Sequence, residues 1–447
     1  MKKILLTSLV LFGIKVNSQL SFKNNITIPL EKDPVGVVIQ DLNHDDLTDV
    51  LVSYYDNNYL SIFLQNANGT LSTQPQKIYS NDQSKISAIN FGDINQDGLS
   101  DLLISTPTST GAYMMKVDGT FSDFKVLDLP FPVGITIGDL NGDNVNDLLL
   151  TSYNKMYFAY QKVGEPANFS VTSQDKLSTL GISRVADINN DGRNDIIFAS
   201  PGTAQIFTYR QKAEGGFDVP VKTYVNDWMD DIAVKDVNND GLNDLVITQS
   251  GGDSSVKILY PSFNDYIFYS YIKVPAYNNT GSIEIADFNN DGKNEIAAAH
   301  YGFNNVSVFS SKNNVFSNYQ LFNCITASIN SGSMGVGDIN NDGLQDIIVA
   351  DYSTLNILYN QSDVVLTTNE EAAKNIALYP NPASDHILVR GIPVDARFDI
   401  IDVIGRIVKS GILSNTKRID VKNLATGSYN INFLINNKTQ NFKFIKR

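Results

Sequence analysis

The sequence predicts an all-β fold of seven repeated units followed by a smaller β domain. Three observations lead to this prediction. The nine-residue pattern D-x-N-x-D-G-x-x-D recurs seven times at intervals of 46 to 52 residues, short apolar runs flank each copy, and the pattern changes near residue 375. A period of about 50 residues with several strands per unit is typical of a β-propeller, in which each unit forms one blade. The sequence therefore predicts a seven-bladed β-propeller followed by a small β-sandwich.

The repeating unit contains four segments with strand character. In the sixth unit, residues 283–285 precede the acidic pattern and residues 306–309 form a later segment. In the second unit, residues 102–104 follow the pattern, and residues 119–121 open a fourth segment at a glycine turn. Short runs of β-formers bounded by Asp, Asn and Gly predict strands and not helices.

The last unit supplies only three strands before the chain becomes linker-like. Residues 20–30, near the N-terminus, are similar to the outer-strand segments 71–78 and 121–129. We expect this N-terminal strand to complete the last blade and close the ring, because closure removes exposed strand edges.

The acidic pattern indicates calcium binding. Ca²⁺ prefers six to eight oxygen ligands at ~2.3–2.6 Å, and alternate side chains of a tight turn can converge on one ion. Positions 1, 5 and 9 are acidic and position 3 is Asn in every copy, whereas position 7 varies and would contribute only its carbonyl oxygen. A role as a hairpin turn would explain the glycine at position 6 but not three acids per copy.

An EF-hand is excluded, because such a loop needs flanking helices and a Glu at position 12. Position 12 is apolar in all seven copies, namely Val52, Ile104, Leu150, Phe198, Ile247, Ala298 and Val349. Three copies depart from the pattern, with Asp46 or Asn144 at position 6 and Glu295 at position 9.

We therefore predict up to seven structural calcium ions, with the first loop the least complete. The candidate ligands are Asp41, Asn43, Asp45, Asp49, Asp93, Asn95, Asp97, Asp101, Asp139, Asn141, Asp143, Asp147, Asp187, Asn189, Asp191, Asp195, Asp236, Asn238, Asp240, Asp244, Asp287, Asn289, Asp291, Glu295, Asp338, Asn340, Asp342 and Asp346.

The repeats resemble FG-GAP or VCBS-type repeats, the units of integrin α-subunit propellers and of many bacterial surface proteins. Residues 91–93 (Phe-Gly-Asp) and 199–202 (Ala-Ser-Pro-Gly) stand where the residues that name the family fall. The resemblance covers about residues 19–360. It implies that the metal loops lie on one face of the propeller and that partners bind the opposite face.

Aromatic residues in the loops of that opposite face are candidates for ligand binding. Exposed rings suit sugar rings or a protein partner, although each ring could instead pack between blades. The candidates are Trp228, Tyr55, Tyr153, Tyr301, Tyr352, Phe131 and Tyr277. Catalysis has little support, because the three histidines, His44, His300 and His386, accompany no recognisable nucleophile or zinc motif.

From about residue 375 the chain alternates short strands with polar turns, which predicts a small β-sandwich. Its landmarks are residues 378–385, 402–408, 424–429 and 443–446. They resemble the C-terminal sorting domain of cargo for the type IX secretion system of Bacteroidota. The resemblance implies that this machinery is a partner, that the chain crosses the outer membrane, and that the domain is then removed as the protein is attached to the cell surface or released.

The N-terminus reads as a secretory signal over residues 1–18, with Lys2 and Lys3, an apolar stretch and a small-residue cleavage site. The expected domains are the propeller at 19–360, a linker at 361–374 and the sorting domain at 375–447. The formal charge of −14 argues against a nucleic-acid partner. We expect no transmembrane segment after the signal, a monomer, and a lone cysteine, Cys324, that is buried as a small apolar residue.

Three functions fit the sequence. The first is a calcium-stabilised extracellular module that binds or adheres to a glycan or protein. The second is a polysaccharide-active lyase or hydrolase on a propeller scaffold, and the third is a purely architectural surface protein.

Overall fold

The computed structural model describes residues 20–447 except 24–25, 176–180, 227, 251–253, 263–266, 313–314, 325–331, 363–376, 380–382, 391, 393–395, 403–405, 415–416 and 436–437. The predicted signal at 1–18 and most of the predicted linker lie outside the described residues. The chain divides into two compact units, Met1–Val365 and Leu366–Arg447.

Seven four-stranded antiparallel sheets make up the first unit, and we call them blades 1 to 7. Their strands, from the innermost outward, are Pro34–Gln40, Asp49–Tyr54, Tyr59–Phe63 and Gln76–Tyr79 in blade 1; Ala88–Gly92, Asp101–Ser105, Thr110–Met115 and Phe121–Val126 in blade 2; Gly134–Gly138, Asp147–Thr151, Lys155–Gln161 and Phe169–Asp175 in blade 3; and Ile182–Ala186, Asp195–Ser200, Gln205–Tyr209 and Val221–Tyr224 in blade 4. The remaining strands are Asp231–Lys235, Asp244–Gln249, Ser255–Leu259 and Ile272–Pro275 in blade 5; Thr280–Ala286, Glu295–His300, Asn305–Lys312 and Val315–Asn323 in blade 6; and Met334–Gly337, Asp346–Asp351, Thr354–Leu358 and Ile26–Pro29 in blade 7.

The N-terminal strand closes the ring, as the sequence predicts. Ile26–Pro29 pairs antiparallel with Thr354–Leu358 and supplies the outermost strand of blade 7. A further bridge joins Phe22 to Asn360. The first and last segments of the propeller therefore share one sheet, which leaves no open blade.

One hydrophobic cluster fills each of the seven interfaces between neighbouring blades. Between blades 1 and 2 it includes Leu51, Leu60 and Leu102, and between blades 7 and 1 it includes Val50 and Ile348. These side chains come from the middle strands, which are apolar on both faces because a blade lies on either side. Each buried side chain of this size contributes about 1.5–3 kcal/mol. Cys324 is buried in the cluster between blades 6 and 7, as expected.

The inner strands converge on the central axis, where space is short. A Cβ added to Gly337 of blade 7 would lie 2.6 Å from Cγ2 of Ile39 in blade 1. At Gly92 of blade 2, the same atom would lie 2.9 Å from Cγ2 of Ile137 in blade 3. Glycine at these positions permits the close approach of neighbouring inner strands.

One buried carboxylate ties four blades together near the axis. Asp231 of blade 5 accepts hydrogen bonds from Arg184 Nη2 of blade 4 at 3.0 Å and from Ser282 Oγ of blade 6 at 3.1 Å. It also accepts the backbone N–H of Gly332, just before blade 7, at 3.3 Å. Since Asp231 is only 1% exposed, these donors replace its water shell.

The second unit is a sandwich of two sheets around its own core. One sheet contains Ala377–Tyr379, His386–Arg390 and Arg418–Asp420, and the other contains Ile407–Ile412, Arg397–Ile401, Gly427–Ile435 and Lys438–Lys446. Ile387 and Ile419 of the first sheet pack with Phe398, Phe433 and Phe444 of the second.

Two small elements complete the first unit, a hairpin of Gln65–Asn66 with Thr70–Leu71 and a 3₁₀ turn at Pro201–Thr203. The prediction of an all-β propeller followed by a β-sandwich is confirmed. Among the residues that the structure describes, no helix has the length and apolar character needed to cross a bilayer.

Candidate metal loops and aromatic face

The seven acidic loops connect the innermost strand of each blade to the next strand, and all seven share one turn. We number them loops 1 to 7 after their blades and keep positions 1 to 9 of the pattern. In every loop, the position-1 carboxylate accepts the backbone N–H of position 6 at 2.7–2.9 Å. The position-5 carboxylate accepts the N–H of position 7 at 2.9 Å. The side chains at positions 1 and 5 therefore define the turn.

Two residues of each loop have left-handed backbone conformations. Position 6 has a φ of 83–89° where it is glycine, 66° at Asp46 and 63° at Asn144. Position 4 also has positive φ in all seven loops, from 55° at Asn290 to 84° at Gly142. The left-handed conformation at position 4 was not predicted, although Asn or Gly in five of its seven copies signals it.

The position-9 acid is buried in every loop. One of its oxygens accepts the N–H of position 2 at 2.9–3.2 Å. Burial raises the pKa of this acid, and the acids at positions 1 and 5 add to the increase. The pKa rises to about 6 in Asp49, Asp101 and Asp195, about 7 in Asp147, Asp244 and Asp346, and about 8 in Glu295.

The donor chemistry of the loops fits a hard cation. Each loop combines a buried carboxylate, two further carboxylates and an Asn amide oxygen, which are calcium ligands. In loop 5, Oδ1 of Asp244 is buried and has no hydrogen-bond partner. Among the described residues, however, no three acidic, histidine or cysteine side chains already converge as a metal cage. Calcium binding therefore stays a prediction.

Loops 4 and 6 differ from the others in their internal contacts. In six loops the position-3 amide donates to the position-5 carboxylate. In loop 6, Asn289 Nδ2 donates instead to the longer Glu295 at 2.9 Å. In loop 4, Arg193 at position 7 forms an ion pair with Asp191 at 2.5 Å.

The candidate aromatic residues lie at the opposite ends of the blades, and four of them lie in loops of the consecutive blades 6, 7 and 1. The Tyr301 and Tyr352 hydroxyls hydrogen-bond to each other, which raises the pKa of Tyr352. The backbone N–H of Tyr55 donates to the carbonyl of Asp33 at 2.9 Å, and the Asp33 carboxylate acts electrostatically on Tyr352. On the other side, Tyr277 follows in the loop between blades 5 and 6.

Tyr277 is only half-exposed, because its ring packs edge-on against Phe303 and His300, at centroid distances of 5.6 Å each. Phe303, which the sequence analysis did not propose, is 37% exposed beside it. We call Tyr55, Tyr277, Tyr301, Phe303 and Tyr352 the aromatic cluster.

The other three candidates lie apart from this cluster. Trp228 is 59% exposed beside Gly202, in the loop between blades 4 and 5. Tyr153 is 69% exposed in the turn of blade 3 that corresponds to the turns of Tyr301 and Tyr352. Phe131 is exposed in the loop between blades 2 and 3.

The three histidines lie in separate elements, in loop 1, in blade 6 and in a strand of the second unit. His300 is buried in blade 6, where its ring nitrogens contact the Asn278 carbonyl at 2.9 Å and the Ser307 hydroxyl. Burial lowers the pKa of His300 to about 4, so its ring is neutral at physiological pH. His44 occupies position 4 of loop 1, and His386 begins a strand of the second unit.

Comparison with protein-family models now adds the decisive observation. A model described as an FG-GAP-like repeat matches residues 41–104, 93–150, 187–247, 236–298 and 287–349, which together cover more than half of the chain. The chain belongs to the FG-GAP-like repeat family. A second model, the secretion system C-terminal sorting domain, matches residues 377–447 of this FG-GAP protein. The protein therefore carries a type IX sorting domain, which directs it to the cell surface or the extracellular space.

Several solved structures are similar to this FG-GAP protein. The extracellular domain of BT4673 from B. thetaiotaomicron, a putative one-component system, has a TM-score of 0.48 at 16% identity, over 76% of this chain and 40% of that chain. An Agrocybe aegerita lectin that recognises non-reducing terminal N-acetylglucosamine has a TM-score of 0.49 at 15% identity, over 73% of this chain and 88% of that chain. PorZ, a type IX secretion component of Porphyromonas gingivalis, has a TM-score of 0.42 at 12% identity, over 89% and 58%. The chain thus spans less than half of the BT4673 domain. A search of curated proteins finds no match.

Proposed function

We propose that this exported FG-GAP protein is a calcium-stabilised binding module whose aromatic cluster engages an extracellular glycan or protein. The observation that carries the proposal is the contact of Tyr301 in blade 6 with Tyr352 in blade 7, together with the packing of Tyr277 on Phe303 in the neighbouring loops. Single exposed apolar residues are ordinary on a protein surface, whereas exposed rings grouped on neighbouring loops are typical of an interaction site. Tyrosines with exposed faces and polar tips suit stacking on sugar rings as well as protein contacts.

The loops at the other ends of the blades have a structural role in this proposal. Calcium held by the acidic loops would neutralise carboxylates that burial makes costly to ionise. An ion that binds only the folded protein also stabilises it by mass action. The N-terminal signal, its removal after residue 18, and the later removal of the sorting domain belong to the same proposal.

An array of glycans and matrix proteins, probed with the full-length protein in calcium, tests the binding role. We expect saturable binding that falls at least tenfold when Tyr301 and Tyr352 are both replaced by alanine. Tyr153→Ala is the matched control, because Tyr153 occupies the corresponding turn of blade 3 without the neighbours of the cluster. Binding that survives the double substitution but is lost in Trp228→Ala would move the site to blades 4 and 5.

The same array separates the alternative functions. Depolymerisation of a bound polysaccharide would replace the binding role with an enzymatic one. No binding to any arrayed ligand, in calcium or in EDTA, would favour a purely architectural surface protein.

A further inference from the structure

A set of side-chain amides connects each acidic loop to the loop of the neighbouring blade. The linking residue is Gln161 in blade 3, which ends the third strand. In blades 4 and 7 it is Gln211 and Asn360, which lie two positions after the third strand. Its backbone N–H donates to the buried position-9 acid of its own loop, to Asp147 at 2.8 Å, Asp195 at 2.8 Å and Asp346 at 2.7 Å.

The side chain of the same residue reaches back to the preceding blade. Gln211 Nε2 donates to the carbonyl of Asp139, position 1 of loop 3, at 3.2 Å. Asn360 Nδ2 donates to the carbonyl of Phe288, position 2 of loop 6, at 2.7 Å, and Gln161 Nε2 donates to the equivalent Ile94 of loop 2. Each of these three residues thus contacts the position-9 acid of its own loop and the backbone of the loop in the preceding blade.

A second set of side-chain amides, at position 8 of three loops, also donates to backbone carbonyls of the preceding loop. Position 8 is Asn146 in loop 3, Asn243 in loop 5 and Asn294 in loop 6. Their Nδ2 groups donate to the position-1 carbonyls of the preceding loops, Asp93 at 3.1 Å, Asp187 at 2.7 Å and Asp236 at 2.6 Å. Together the two sets connect loops 2, 3, 4, 5, 6 and 7 in series.

Loop 1 stands outside this series. Gln65, the counterpart of Gln211, turns its Oε1 to the N–H of Thr48 within blade 1, and its buried Nε2 has no hydrogen-bond partner. In blade 2 the corresponding residues are Met115 and Ser100, which carry no amide. Among the described residues, no side-chain amide bond joins loop 1 to loop 2 or loop 7.

We propose that these amides couple calcium binding between neighbouring loops from 2 to 7, and that loop 1 binds its ion independently. The proposal rests on the calcium sites of the proposed function. An ion in one loop fixes the backbone at positions 1 and 2, which holds the donating amide. Gln161, Gln211 and Asn360 in turn orient the position-9 acid of the next loop through their own N–H groups. The position-8 amides act through the backbone, because they directly precede that acid in the chain. In both cases the neighbouring loop binds calcium more tightly. Coupling of this kind typically changes affinity by about fivefold or more.

Calcium titration of the full-length, metal-free protein against a competing chelator tests the coupling. Asp143→Asn and Asp45→Asn both remove the position-5 ligand, in loop 3 and loop 1. We expect Asp45→Asn to remove one ion and leave the other affinities unchanged. We expect Asp143→Asn to remove one ion and also to weaken binding at neighbouring loops by about fivefold.

Two variants outside the loops identify the amides as the cause. Gln211→Met keeps the backbone bond to Asp195 but removes the side-chain bond to loop 3, so Asp143→Asn should no longer weaken loop 4 in that background. Met115→Gln places an amide between loops 2 and 1 and should bring loop 1 into the cooperative set. Circular dichroism confirms that each variant is folded.

The possible failures are distinct. If the wild-type protein binds no calcium, the proposed metal sites themselves are wrong and the coupling fails with them. If it binds several ions, but Asp143→Asn and Asp45→Asn each remove one ion without changing the rest, the coupling is wrong while the metal sites stand. If Asp143→Asn still weakens loop 4 to the same extent in the Gln211→Met background, the role of the amides is also overturned.

Discussion

The loops at one end of the blades share a single structure, whereas the loops at the other end differ from blade to blade. At the acidic end, seven loops repeat one turn, in which the acids at positions 1, 5 and 9 accept equivalent backbone N–H groups and positions 4 and 6 are left-handed. At the opposite end the loops differ from blade to blade, and residues such as Asp231, His300 and Tyr352 have unique surroundings. The repeated turn makes the same connection between the first and second strands in every blade. The loops at the opposite end vary, so a binding surface can form there on some blades and not on others.

The largest expected effect tests the repeated end as a whole. Removing calcium with excess EDTA should lower the melting temperature of the propeller strongly, because each ion contributes about 2.7 kcal/mol when free calcium is 100-fold above its dissociation constant. Thermal unfolding followed by circular dichroism measures the change, and adding calcium back should restore the original melt. An unchanged melt in EDTA would mean that the repeated turn is stable without metal.

The next effect belongs to the unique residue near the axis. Asp231→Ala should lower the free energy of unfolding by about 3–5 kcal/mol, because the N–H and O–H donors of Arg184, Ser282 and Gly332 lose their acceptor. Urea denaturation measures the loss. Lys85→Ala, which removes an exposed ion pair with Asp56, should cost no more than ~0.5 kcal/mol. Equal costs for the two variants would show that Asp231 does not hold the blades together.

A pH dependence should distinguish blade 6. The pKa of His300 is about 4 in the folded protein and about 6.5 in an unfolded chain. Between these values the unfolded chain binds the proton and the folded protein does not, so stability is complete above pH 6.5 and falls as pH drops towards 4. The full loss is about 3 kcal/mol.

His300→Gln provides the comparison for this pH effect, since glutamine cannot be protonated in that range. The difference in unfolding free energy between the wild type and His300→Gln should shrink as the pH is lowered from 8 to 5. A difference that stays constant over this range would mean that His300 accepts a proton in the folded protein as readily as in the unfolded one.

The smallest effect on stability should accompany a clear effect on binding. Tyr352→Phe removes the hydroxyl that contacts Tyr301 but keeps the ring, so the free energy of unfolding should change by no more than ~0.5 kcal/mol at this exposed site. Binding to the ligand found on the array should weaken by about fivefold if that hydroxyl orients the cluster. Tyr153→Phe should change neither quantity, and equal binding by both variants would remove Tyr352 from the site.

Much of the architecture could be predicted because it is periodic or local. The strand runs around each loop, the three strands of the last unit and the match of residues 20–30 to an outer strand were visible in the sequence. The structure places Ile26–Pro29 in blade 7 accordingly. The positive φ at position 4 was visible too, as a preference for Asn and Gly, but was overlooked. Phe303 carried no such signal, because its exposure depends on the packing of Tyr277 against it.

The repeat, the acidic turn and the closure of the ring can be read from the chain alone, since each depends on residues a few positions apart or on a recurring pattern. Packing between blades sets which aromatic residues meet, how deeply the position-9 acids are buried, and which amides cross between blades. Those contacts join residues far apart in the chain, such as Asp139 with Gln211 and Asp231 with Gly332. Their formation depends on how neighbouring blades pack around the axis, and no local pattern encodes that packing.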